Sequence, residues 1–177
     1  MATYCSYVSK IKDPEDVDKR YHDHQYGVRI EDDNELFGRL LMEINQAGLS
    51  WRTILLKEKG LRKAYDNFDV RKVANYKKED VQRLLQDASI IRNRLKVEAA
   101  IYNAQAILMI QKEHGSFLAW IDIHEEKLEQ DVDAWVKLFR QYFRFVGGEI
   151  VGEFLKSIHT LPGSHDRDCG AFRNMLK

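Results

Sequence analysis

The sequence holds only two prolines and ten glycines among 177 residues. That scarcity excludes long irregular loops and frequent tight turns, so helix should dominate. Two cysteines are too few for a disulfide framework. The stretch Met1-Ala2-Thr3-Tyr4-Cys5 lacks the basic and then apolar pattern of a secretory signal. A reducing, cytosolic location is therefore expected, with Cys5 and Cys169 as thiols or metal ligands. No apolar run reaches the roughly 18 residues of a membrane span. Charge of one sign is also missing, since 28 basic residues balance 28 acidic ones. That balance argues against an extended nucleic-acid face and leaves room for a small local basic surface.

What is present is a globular composition, 44% hydrophobic and 32% charged, with enough chain for a real core. The periodicity predicts an all-α fold: one domain over 1–177, or two helical lobes of it, with 79–112 carrying a helix-hairpin-helix. Residues 1–31 read as irregular. Asp32, three residues before Glu35, signals a helix start, and Leu36, Phe37, Leu40, Leu41 and Ile44 follow at helical spacing up to Gly48. Ser50 caps the next helix, expected to carry Trp51, Ile54, Leu55, Leu61, Ala64, Tyr65 and Phe68. Asp69 caps a short helix, and others are predicted over 79–87, 95–112, 132–142 and 148–158, with a short one at Phe117–Ile121.

Three stretches carry chemistry. Glu43 to Trp51 sets a carboxylate, two amides and an indole at one helix junction, which suits a flat, polar or cationic ring, or else is a plain helix corner. Residues 88–94 form a tight turn before a long helix, whose free N–H groups and nearby Arg92, Arg94 and Lys96 suit one phosphate. An ordinary antiparallel helix pair with a basic loop would read the same way. Cys5, His22, His165 and Cys169 could form a tetrahedral Cys₂His₂ metal set joining the two ends, although other histidines compete and two unrelated buried thiols are an ordinary finding.

Taken in order, Cys5, Tyr21-His22-Asp23, Gly27-Val28, Gln46 to Trp51, Asp87-Ala88, Ile90-Ile91-Arg92, Phe145-Val146-Gly147 and His165-x-x-x-Cys169 resemble the DNA-3-methyladenine glycosylase I family of the helix-hairpin-helix superfamily. The resemblance covers nearly the whole chain. It implies a zinc clip joining the termini, with one structural Zn²⁺ held by Cys5, His22, His165 and Cys169. It implies base excision from double-stranded DNA containing alkylated bases in the bacterial cytosol, releasing free 3-methyladenine and leaving an abasic site. Trp51 would stack on the extruded base, and Glu43 and Tyr21 would bind its polar edge. Tyr7 and Tyr26 stand where tryptophans are usual and would also line the pocket. Gly48 and Leu49 would face the duplex, and Ser89, Ile90, Ile91, Arg92 and Arg94 would meet the backbone. Ser89 replaces a common glycine, and Gly148-Glu149 a pair of threonines.

The chemistry is coherent. A methyl group on N3 makes the base cationic, so it leaves as a neutral group, and an indole face and a carboxylate both favour the charged ring. Two other readings remain at this stage: a non-catalytic reader of damaged bases, and a helical protein adaptor. Nothing in the sequence calls for an obligate protein partner.

Overall fold

A computed structural model describes residues 3–175, and among them the chain forms helices and no strand. The two central elements are α3 (Asp33–Gln46) and α7 (Arg94–His114), and the chain order begins with α1 (Tyr4–Val8) and α2 (Val17–His24). Those first two helices replace the expected irregular start. Each is short and held by its cap: the Thr3 hydroxyl accepts from Ser6 N–H and the Asp16 carboxylate from Asp18 N–H. Their buried faces combine Cys5 and Val8 with Asp18, Tyr21 and His22, a mixture that aliphatic periodicity does not register.

Asp32 accepts from the N–H groups of Asn34 and Glu35, so α3 begins where the capping signal put it. The reciprocal half of a capping box is missing because Glu35 turns to a bidentate pair with Arg62. Ser50 caps α4 (Trp51–Ala64), accepting from Thr53 N–H. Phe68 does not extend that helix: Asp66, Asn67 and Phe68 carry positive φ in a 3-10 turn that swings the ring under Gly38 of α3. A Cβ on Gly38 would collide with that ring.

Next come α5 (Val70–Ala74), α6 (Lys78–Gln86), the hairpin at 87–93 and α7, whose N-cap is Asn93. Ile90 turns inward between α6 and α7 and is buried, while Ile91 is half-buried. The helix expected at Phe117–Ile121 runs on to Leu128 as α8. Its start is fastened to α3 by Asp33, whose carboxylate accepts from the N–H groups of Phe117 and Leu118. Helices α9 (Val132–Tyr142), α10 (Gly148–Ser157) and α11 (Gly170–Met175) complete the chain. A continuous core runs from Tyr21 to Leu161 and includes Trp120 and Trp135 at full burial. No helix among the described residues is long and apolar enough to cross a membrane.

Candidate active site and metal centre

Helix α3 ends at Gln46, and Gly48 takes a φ of +82°, a backbone that a side chain resists. The chain then reverses through Leu49 into the Ser50 cap. This turn brings Glu43, in the last turns of α3, opposite Trp51 at the start of α4. Between them lies a cavity of about 220 Å³ lined by Tyr4, Tyr21, Tyr26, Glu43, Gln46, Trp51 and Glu153. Most drug-sized pockets are roughly 300–1,000 Å³, so this one suits a single small ring system. It opens, through Glu43, Gln46 and Glu153, into a groove of about 890 Å³ between the 46–50 turn and the start of α10.

The walls are aromatic. The Tyr21 and Trp51 rings lie 5.1 Å apart at 59°, and Tyr21 and Tyr26 lie 5.6 Å apart at 33°. Trp51 Nε1 is buried and has no partner among the described residues. Arg39, itself buried, donates from Nη1 to Tyr21 Oη at 3.2 Å and to Ser157 O at 3.3 Å, so it fixes the Tyr21 ring against α10. Burial holds the Tyr21 phenol well above its ordinary pKa, which keeps its proton available as a donor.

Glu43 is 3% exposed, and no described residue donates to its carboxyl or forms an ion pair with it. Burial pushes its pKa up to about 8; Arg39 pulls it down in part and Glu153 raises it again. A buried carboxyl with no protein partner is costly unless something else meets it. Tyr26 Oη donates to Glu153 Oε2 at 3.1 Å.

The structure therefore brings Tyr21, Tyr26, Glu43 and Trp51 to one cavity. Tyr7 is placed elsewhere: it is 45% exposed and stacks at 6.2 Å on Tyr4, which occupies the lining position instead. Tyr4 and Glu153 escaped the sequence reading. Glu153 lies on α10, over a hundred positions from Glu43, and no local pattern marks it.

Lys96 is a second surprise. It is not part of the basic surface of the hairpin: it is buried, and Nζ donates to Asn45 O and Ala47 O, both at 2.9 Å. Carbonyls at the end of α3 have no helical partner, and this ammonium satisfies two of them. It also binds the 46–50 turn to the start of α7, directly after the hairpin. Gly60 of α4 abuts the same hairpin, where a Cβ would lie 2.6 Å from Ser89 O. Lys96→Met is expected to leave both carbonyls unpaired, at about 1–3 kcal/mol. Thermal melting should fall by about 5 °C.

In the hairpin, Ser89 N–H and Oγ–H both go to Asp87 Oδ1, so the Ser89 amide is committed within the chain. Arg92 and Arg94 are exposed, with Arg94 3.7 Å from Glu98. Gly48 and Leu49 are exposed at the groove mouth.

At the chain ends, one donor atom from each of Cys5, His22, His165 and Cys169 lies within 4.8 Å of the others. Cys5 Sγ is 3.2 Å from His22 Nε2 and 3.6 Å from His165 Nδ1, while Cys169 Sγ is 3.6 and 3.7 Å from the same two nitrogens. A tetrahedral ion with bonds of about 2.0–2.3 Å would separate its ligands by about 3.3–3.8 Å. The outer ring nitrogens are occupied: His22 Nδ1 meets Asp23 Oδ1 at 2.8 Å and His165 Nε2 meets Tyr26 O at 2.8 Å. Both partners are acceptors, so the outer nitrogens carry the protons and the inner ones present lone pairs. The four residues can hold a metal ion. The cluster adjoins the cavity, since Tyr4 precedes Cys5, Tyr21 precedes His22, and His165 binds the Tyr26 carbonyl.

The methyladenine glycosylase family matches residues 11–173. The DNA-3-methyladenine glycosylase 1 of Escherichia coli K12 is 37% identical over 169 residues, covering 86% of this chain and 88% of that protein. Two solved structures superpose over 93% of this chain. One is the 3-methyladenine DNA glycosylase I of Staphylococcus aureus, with a TM-score of 0.81, 31% identity and 94% of that chain covered. The other is a Tyr-to-Phe variant of a 3-methyladenine DNA glycosylase I in complex with 3-methyladenine, with a TM-score of 0.82, 30% identity and 95% of that chain covered. On this evidence, the chain belongs to the methyladenine glycosylase family.

Proposed function

We propose that this protein is a DNA glycosylase that hydrolyses the N-glycosidic bond of 3-methyladenine in alkylated double-stranded DNA, releasing the free base and leaving an abasic site. The observation that carries the reading is Glu43: a buried carboxyl with no partner among the described residues, inside an aromatic cavity the size of one base. A cationic ring is the ligand that would satisfy it. The extruded base stacks on Trp51, worth about 0.5–2 kcal/mol for a cation over an indole. Glu43 accepts from its amino group, and Tyr21 donates to its acceptor edge. Normal adenine lacks the charge and gains neither interaction in full.

The positive charge already weakens the bond to deoxyribose, so the pocket has only to extrude, bind and exclude. Gly48 and Leu49 face the gap left in the duplex. The 88–94 hairpin, with Ser89, Ile90, Ile91, Arg92 and Arg94, grips the backbone without reading sequence. Zn²⁺ suits the Cys₂His₂ set. Held by four protein ligands, it would brace the chain ends and the cavity wall and leave no open position for substrate. A thiol pair kept as ligands is at home in a reducing cytosol.

No lysine lines the inner cavity, and the nearby Lys96 is occupied by two carbonyls. Excision should therefore proceed without an imine intermediate. Methylated duplex incubated with the protein should acquire sites that break only on later alkali treatment. Strand breaks appearing before alkali, or a borohydride-trapped protein–DNA adduct, would contradict the hydrolytic route.

A further inference from the structure

Helix α7 registers two loops from one face. Lys96 holds the 46–50 turn through Asn45 O and Ala47 O. Asn103, two turns further along and so on the same face, is buried and clamps Arg144 by both backbone groups. Its Oδ1 accepts from Arg144 N–H at 2.8 Å, and its Nδ2 donates to Arg144 O at 3.1 Å. Arg140 Nε donates to Val146 O at 3.4 Å and fastens the loop again beyond Phe145. Phe145 itself takes a φ of +62° with its side chain 40% exposed. A bulky residue keeps that backbone only where its surroundings over-determine it, and such positions gather at functional surfaces. The loop then runs into Gly147, which lines the same groove as Gly48 and Leu49.

The side chain presented by this clamp is a cation. Arg144 is exposed, has no ion pair among the described residues, and sets its Cζ over the Tyr102 ring, 3.9 Å from the centroid. Stacking uses the face of a guanidinium and leaves its in-plane N–H fork available, a fork that matches phosphate oxygens. Tyr102 continues the row of α7 that starts at the hairpin with Arg94 and Glu98, about 12 Å along the helix from Arg94. Successive phosphates of one strand rise by about 3.4 Å, so that distance spans roughly three or four nucleotides. Arg94 lies 3.7 Å from Glu98, whereas Arg144 has no such neighbour to answer its charge. We infer that Arg144, shelved on Tyr102 and clamped by Asn103, is a second DNA-backbone anchor that grips a phosphate beyond the reach of the 88–94 hairpin. The inference rests on the glycosylase reading above. One grip leaves a duplex free to pivot; two grips at that separation fix its direction across the groove.

The test is binding of a duplex that carries a stable abasic-site analogue, measured across a series of potassium chloride concentrations. Arg144→Ala should bind about five- to tenfold more weakly at about 0.1 M salt, and the salt slope should shrink by about one, as one lost phosphate contact requires. Arg144→Lys keeps the charge and should keep the slope while losing part of the affinity, because an ammonium has no planar fork to stack. Tyr102→Leu removes the shelf and no charge, so affinity should fall about twofold with the slope unchanged. Lys112→Ala, which removes an exposed cation farther along the same helix, should change neither quantity. Ethylation of single phosphates should reveal one position that blocks the native protein and not Arg144→Ala. An Arg144→Ala slope equal to the native one, or identical interference patterns, would overturn the inference and leave the glycosylase reading standing on base release. Native protein that neither binds the duplex nor releases methylated base would overturn that reading and this inference together.

Discussion

Glu43→Gln should lower the rate of 3-methyladenine release by roughly 10- to 100-fold, the loss of about 1.5–3 kcal/mol from a hydrogen bond to a charged partner. The same change should make the folded protein more stable in alkali. The Glu43 carboxyl titrates at about 8 in the folded chain, against an ordinary 4.5. A raised carboxyl pKa means that the folded state binds the proton more tightly than the unfolded one. Its contribution is fully present below about 4.5 and is lost as pH rises through about 8. Glutamine has no proton to lose. The melting temperatures of native and variant protein should therefore diverge between pH 5 and 9, with the variant higher at the alkaline end. The difference in folding stability at pH 9 should be on the order of 5 kcal/mol. A site retained at this cost is there for a ligand, and the opposite shifts in activity and stability separate that role from a packing role. A cation entering the cavity must also displace the proton. Excision by the native protein should accordingly rise toward pH 8, and Glu43→Gln should flatten the profile.

Disruption of the Cys/His cluster at the chain ends should have the second large effect. The Cys5, His22, His165 and Cys169 set joins residues near both ends of the chain. Opening so long a loop costs about 5 kcal/mol if the clip is treated as a cross-link. At this chain length that corresponds to a fall of about 10–20 °C in melting temperature. Cys169→Ser or prolonged chelation should produce that fall, together with loss of stoichiometric zinc by elemental analysis. The rate of base release should drop as well. Tyr26 packs on His165 at 5.4 Å and Tyr4 on His22 at 5.6 Å, so a loosened cluster loosens the cavity wall. Native protein prepared without chelator and found free of zinc would contradict this part of the account.

The parts of this molecule readable in its sequence are those with local causes. Asp32, Ser50 and Asp69 each cap the helix that follows, because a side-chain oxygen two or three residues away is a short-range device. The hairpin was readable for the same reason, from a periodic pattern broken and resumed within a few residues. Helices α1 and α2 were not, since they are held by aromatic packing and by the gathering of Cys/His side chains from the chain ends, not by an aliphatic stripe. Nor could spacing decide between Tyr4 and Tyr7. They lie on one helical face a turn apart, and only the approach of α2 places Tyr4 inward.

Long-range pairings were hidden altogether. Lys96 read as part of a basic loop, yet its ammonium lies under the turn at Ala47. Nothing local marks Glu153 on the last long helix, yet it lines the pocket and accepts from Tyr26. The Glu43 to Trp51 stretch and the Cys/His set were recognised as sites through their ordered company along the chain, since neither pattern alone distinguishes a site from an ordinary helix corner or a pair of buried thiols.

The most direct test of the central claim is chromatography of the bases released from methylated duplex DNA by the native protein. The account predicts free 3-methyladenine accumulating with time, unmodified adenine left in place, and strong loss of release in Glu43→Gln. Duplex binding without release of any methylated base would contradict it and identify a reader of damaged DNA.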